Sequence, residues 1–198
     1  MANRNTVGFG LIAQGTVGSS DANQGQGKYF IDANYGVAMF QGSVVQSKAG
    51  YIADAEAART RNTIGILNGI FFNAATTQKP TFQNHYVAST VPANSEDITA
   101  FVIDNPLQLF ATGVDAAITA AQYGLTASTT QAVPAGSTSS GQSNKQLNVA
   151  ANTSATANQF RLLRSAEDVE NEDILVANST QIVCQNLNQY LTNSVTWQ

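Results

Sequence analysis

Two glycines four residues apart, inside a ten-residue run that is otherwise mostly apolar, constrain this chain more than any other feature. The run is Thr63-Ile64-Gly65-Ile66-Leu67-Asn68-Gly69-Ile70-Phe71-Phe72, and it reads as a β-strand. Side chains of a strand alternate between faces. Ile64, Ile66, Ile70 and Phe72 then share one side with Asn68, while Thr63, Gly65, Leu67, Gly69 and Phe71 share the other. A glycine within a strand loses packing and backbone entropy, so the pair predicts bulges, or a neighbouring segment pressed close to the bare face. The run is expected to be the central strand of a small β-barrel or β-sandwich.

The flanking sequence fits that expectation. Tyr29-Phe30-Ile31 reads as a short strand, 32–36 as a turn and 37–45 as a second strand with a bulge at Gly42. Residues 50–61 have the alanine-rich texture of a turn or two of helix. Residues 73–84, containing Pro80, form a polar connection to a partner strand at 85–90; 98–104 is the next strand, and 107–110 an edge or bent one after Asn105-Pro106. A short helix is expected at 114–122, ended by Gly124. Residues 126–158 are rich in small and amide residues and read as a long polar loop, broken by a strand at 145–149. Residues 160–164 return to strand character; 174–176 and 180–186 form the last pair, followed by Leu187, Tyr190, Leu191 and Trp197.

The predicted fold class is therefore all-β: a small β-barrel or β-sandwich with an extended N-terminal arm, long polar loops and one or two short helices. The arm is assigned to residues 1–28, which hold six of the fifteen glycines, and the β-rich domain to 29–198.

Composition excludes several functions. Only 11% of the 198 residues are charged, against about 25% in ordinary domains, and polarity rests on Asn, Gln, Ser and Thr. Such a surface repels neighbours weakly and suits a crowded assembly. A net charge of −4 without a basic run argues against nucleic acid as a partner. No segment reaches the roughly 18 apolar residues of a membrane span, and residues 7–13 lack the features of a secretion signal. Gly8-Phe9-Gly10-Leu11-Ile12-Ala13 matches a dinucleotide-binding pattern formally, but Gly15, Gly18 and Ser19 follow where a helix should open. Cys184 is the only cysteine, so no intrachain disulfide can form, and it reads as a small buried hydrophobe.

The search for chemistry yields no catalytic, cofactor or metal residues. His85 is the only histidine and no G-x-S-x-G elbow is present, which leaves no basis for a nucleophilic triad or a three-histidine zinc site. Glu167, Asp168, Glu170, Glu172 and Asp173 crowd together without the alternating order of a calcium loop and read as a solvated acidic loop. They are also the one place where the carboxylate pair of a glycan hydrolase could be sought. The Asn152 and Asn178 sequons are expected by chance in a chain this rich in Asn, Ser and Thr. The expectation is a protein that is not an enzyme.

Several segments together resemble small virion proteins of tailed bacteriophages. Met1-Ala2-Asn3-Arg4-Asn5-Thr6-Val7-Gly8-Phe9-Gly10 is similar to their opening, Lys28-Tyr29-Phe30-Ile31 to an early Tyr-Tyr-Ile strand, and Met39-Phe40-Gln41-Gly42-Ser43-Val44-Val45 to a Phe-x-Gly-Asp-x-Val element. Residues 64–70 resemble an Ile-Gly-Val-x-x-Gly core strand; 98–106 with Leu109-Phe110, and 160–163 with 182–188, resemble the later strands in the same order. Ser43 and Asn105 stand where the pattern carries Asp. The resemblance implies a capsid decoration, or cement, protein. Such a protein is made in the host cytoplasm, binds the outer face of the major capsid protein lattice and stabilises the virion head. Residues 1–28 and the Trp197 end are expected to contribute to contacts with the lattice or with copies of itself; dimers or trimers fit the family, as does a monomer that orders only on the particle. A receptor- or glycan-binding module of a head fibre or tail is the alternative.

Overall fold

The glycine-bearing run is the longest strand among the described residues. In a computed structural model that describes residues 3–18, 25–55, 63–130, 136–150 and 158–185, it is the middle of an antiparallel sheet. In chain order the strands are β1 (Ile12–Thr16), β2 (Gly27–Ile31), β3 (Val44–Lys48), β4 (Tyr51–Asp54), β5 (Thr63–Asn73), β6 (Pro80–Gln83), β7 (Ile98–Ile103), β8 (Gln108–Gly113), β9 (Thr126–Ala127), β10 (Phe160–Ser165) and β11 (Thr180–Gln185). One sheet has the order β2-β7-β5-β3-β4, with β6 paired to the second half of β5; the other is β1-β8-β11-β10-β9. Neither sheet closes on itself, so of the two predicted architectures the sandwich-like one is realised.

Both glycines of β5 mark what the sequence predicted of them. Val45 faces Gly65 and Gln46 faces Thr63, so Ile64 is an extra residue; on the other side Leu67 faces Val102 and Gly69 faces Phe101, so Asn68 is extra. A Cβ on Gly65 would lie 2.1 Å from the Ile103 carbonyl oxygen, and one on Gly69 3.0 Å from that of Gln83. The bulges correct the simple alternation, because each extra residue reverses which face follows. Ile64, Leu67, Ile70 and Phe72 join one core with Ile31, Val45, Ile98 and Val102. Ile66 departs from them and packs with Val44, Phe110, Leu147, Phe160 and Val183 in a second core.

Other expectations are corrected by turn chemistry. The strand expected at 37–45 begins only at Val44, after a turn in which the Ser43 amide donates to the Phe40 carbonyl with Gly42 at φ 85°. Residues 51–54 are a strand, not helix: Ala49 and Gly50, both at positive φ, make the two-residue turn that reverses β3 into β4. The rest of the expected helix, 56–61, lies outside the described residues. The partner across from β5 is β6 rather than 85–90, and Pro80 is tolerated as its first residue. Of 85–90 only Tyr86 pairs, in an isolated bridge to Met39. The strand predicted at 107–110 is not an edge but lies between β1 and β11. The helix at 114–122 reduces to one 3-10 turn, Ala120–Gln122, followed by Gly124 at φ 86°. Residues 174–176 form turns.

Residues 3–18 run along the body instead of reaching away from it. Strand β1 pairs with β8, Leu11 is buried in the second core, and Gly8 presses on the backbone of Asn144 and Lys145. The described parts of the polar segment after residue 126, 126–130 and 136–150, are likewise part of the body. Leu147 and Val149 are core residues, and Leu147 bridges Val114 and Thr129 rather than extending into a strand.

The amide-rich composition works partly from within. Gln108 Nε2 donates to the Gly15 carbonyl (2.7 Å), Gln159 Oε1 accepts from the Thr129 amide (3.0 Å), and Asn158 Nδ2 donates to the Thr126 carbonyl (2.8 Å), all from buried side chains. Each satisfies a backbone group that an apolar side chain could not. Lys145 and Asp54 form an ion pair with side chains 0% and 1% exposed.

Candidate interaction surface

The outer face of the β5 sheet carries a set of phenylalanines that antiparallel register brings together. Phe30 of β2 lies opposite Thr99 of β7, Thr99 opposite Phe71 of β5, and Phe71 opposite Phe82 of β6. Residues facing each other across a ladder share a face, so these four form one row. Phe101, opposite Lys28 and Gly69, begins the next. The Phe71 and Phe82 rings lie 4.7 Å apart between centroids, tilted by 45°, and Phe82 stacks on Phe101 at 6.2 Å and 16°. Phe82 is 72% and Phe30 50% exposed.

Gly69 lets this cluster form. With no side chain between Phe101 and the Gln83 carbonyl, a depression of about 490 Å³ opens beside Phe82 and Phe101, lined also by Gln26, Asn68, Gln83 and Asn84. Its lining is neutral and its polar groups are amides, which donate and accept equally. The Asn68 side chain is held from behind by Gln41 Nε2 at 3.0 Å. A second cavity, about 270 Å³, lies where Phe9, Leu11 and Ile12 cross the β5 bulge.

The residues examined for chemistry are dispersed and engaged. His85 stacks on Phe40 at 5.9 Å and its Nδ1 lies 3.0 Å from Asn84 Oδ1. Cys184 sits on β11, half-buried, and burial pushes its thiol above the ordinary cysteine range. Asp168 accepts from Asn171 Nδ2 (2.9 Å), Thr180 Oγ1 (3.1 Å) and the Glu170 amide (3.3 Å); these bonds, led by that from Asn171, hold its carboxyl below the usual range against the opposing effect of burial. The Leu175 amide does the same for Asp173. Arg4 pairs with Glu170, and the Asn5 amide donates to Asn171, so the acidic loop is where residues 3–5 are fastened. Among the described residues no three His, Cys, Asp or Glu side chains converge as a metal site would require. Likewise, no helix among them is long and apolar enough to cross a membrane. Asn152 and the 187–197 aromatics lie outside the described residues.

Sequence reading did not single out the phenylalanine row. Its signal was present: Thr99 and Phe101 alternate with the small Ala100 and the buried Val102, and Phe71 falls on the glycine face of β5. The two turns where the chain departs from the phage pattern are closed by its own residues. The Ser43 amide bonds back to Phe40, and Asn105 Oδ1 accepts from the Leu107 amide at 2.9 Å.

The fold and this surface define an all-β, two-sheet protein with an exposed aromatic sheet face. Comparison with protein families, with curated proteins and with solved structures finds no match for the chain.

Proposed function

We propose that this protein is a virion structural protein of a tailed bacteriophage, a decoration or cement protein that binds the outer surface of the capsid lattice and stabilises the head. The exposed phenylalanine row on the β5 sheet carries this reading: large aromatic side chains left in water on a sheet face are costly unless a partner covers them. The order of phage-like segments supports it, as does the low charge, which lets copies sit side by side on a lattice. Weak contacts repeated by lattice symmetry add to high avidity. The partner is the major capsid protein, with adjacent copies of this chain completing the contact.

Counting copies per purified virion against the major capsid protein, with imaging of their position, tests the proposal. Hundreds of copies spread over the head are expected. A few copies at a vertex or tail would instead favour a glycan-binding module, which the amide-lined depression beside Phe82 and Phe101 supports as the second reading. Absence from the particle would refute both.

A further inference from the structure

We infer that Lys145 and Asp54 become covalently joined, through an isopeptide bond that the folded chain forms by itself. Lys145 Nζ contacts Asp54 Oδ1 directly and lies 3.3 Å from the Ala55 carbonyl oxygen, with both side chains withdrawn from water. The two residues are 91 positions apart in the chain. Lys145 enters from the segment that carries the core residues Leu147 and Val149, and Asp54 ends β4.

Burial sets up the chemistry. The two groups touch with both side chains shielded from solvent, so a proton can pass directly from one to the other without water between them. The transfer of one proton from Nζ to Asp54 leaves a nucleophilic amine against a carboxyl group of which the carbon is electrophilic. The Nζ lone pair attacks Cγ and the C–N bond forms. A second Nζ proton passes to the hydroxyl oxygen, the C–O bond breaks, and one water departs. The remaining N–H can donate to the Ala55 carbonyl, which already faces Nζ. Fixed juxtaposition replaces the encounter of two separate reactants, and exclusion of water opposes the reverse hydrolysis. The bond would tie β4 to the 136–150 segment in a chain whose single cysteine permits no intrachain disulfide.

The intact mass of the full-length wild-type chain, denatured in acid, tests this directly, because a covalent bond survives unfolding. A mass lower than that of the sequence by one water is expected. Proteolysis should then yield one branched peptide containing both Asp54 and Lys145. The Lys145→Arg chain should retain the full sequence mass, since guanidinium does not acylate under these conditions. A wild-type chain at full mass would overturn the inference. So would a deficit carried on an unbranched peptide, which would mark a cyclic imide at Asp54, or a deficit that persists in Lys145→Arg.

Discussion

The Phe71 and Phe82 rings meet at 4.7 Å, tilted by 45°, across the β5–β6 ladder, on the side of the sheet that faces away from both cores. Phe82 is the more exposed ring, at 72%, so its removal separates binding from folding. The variant Phe82→Ser is expected to lose about 1 kcal/mol of stability, the scale of one aromatic pair, while its binding to purified capsids falls by tenfold or more, on the order of a central interface residue. Urea denaturation and a capsid titration measure the two quantities. A variant that binds normally would remove the phenylalanine row from the proposed interface.

Gly65 is required by its neighbour, whereas Gly15 is not. The Gly65→Ala variant places a methyl group on the Ile103 carbonyl and should cost about 1–3 kcal/mol, the range of overpacked cores. At Gly15 nothing lies within 4 Å and φ is not positive, so Gly15→Ala should change stability by about 0.5 kcal/mol or less. Paired urea melts compare them.

Asp168 links the acidic loop to β11 through Thr180. Its folded pKa lies below the ordinary 3.8, so the contribution is present above 3.8 and is lost as pH falls through the lower folded value. Asp168→Asn should therefore be less stable than wild type at neutral pH, with the gap narrowing below 3.8 and closing at more acidic pH. Thermal melts of both chains across that range follow the difference.

Tyr86 is fully buried, and its hydroxyl donates to the Tyr35 carbonyl at 2.7 Å. Burial raises its pKa from 10.0 to about 12. The neutral phenol is the form the fold accepts, so its contribution is complete below pH 10 and is lost as pH rises through about 12. Phenolate absorbance should show a last tyrosine ionising near pH 12, with unfolding. In Tyr86→Phe that late step should vanish, at a stability cost of about 1 kcal/mol for the lost hydrogen bond.

Leu147 tests how far the 126–158 segment belongs to the body. It is fully buried, so Leu147→Ala should cost about 2–5 kcal/mol, whereas a solvated loop would tolerate the change. Its composition concealed this, because one leucine among small polar residues has no periodicity to reveal a core face.

What could be read along the chain was read correctly where the cause is local. The alternation of residues 98–103, the strand at Tyr29-Phe30-Ile31, the bulges at the glycines of β5 and the all-β class follow from side-chain period and turn residues. The helix expected at 114–122, and the described start of the one expected at 50–61, failed for a related reason. Alanine favours helix only weakly without an apolar face, and at 51–54 the positive-φ turn at Ala49-Gly50 prevailed.

By itself the sequence determined that the protein is built of strands, that the two glycines of β5 mark bulges or close approaches, and that no intrachain disulfide joins its segments. Tertiary structure alone decided that Ile66 and Ile64 enter different cores, that Lys145 meets Asp54, and that Phe30, Phe71, Phe82 and Phe101 gather on one face. A strand's period is a property of its own backbone. Register, bulge position and the partner of a buried side chain are set by segments many residues away, and exist only once those segments have packed.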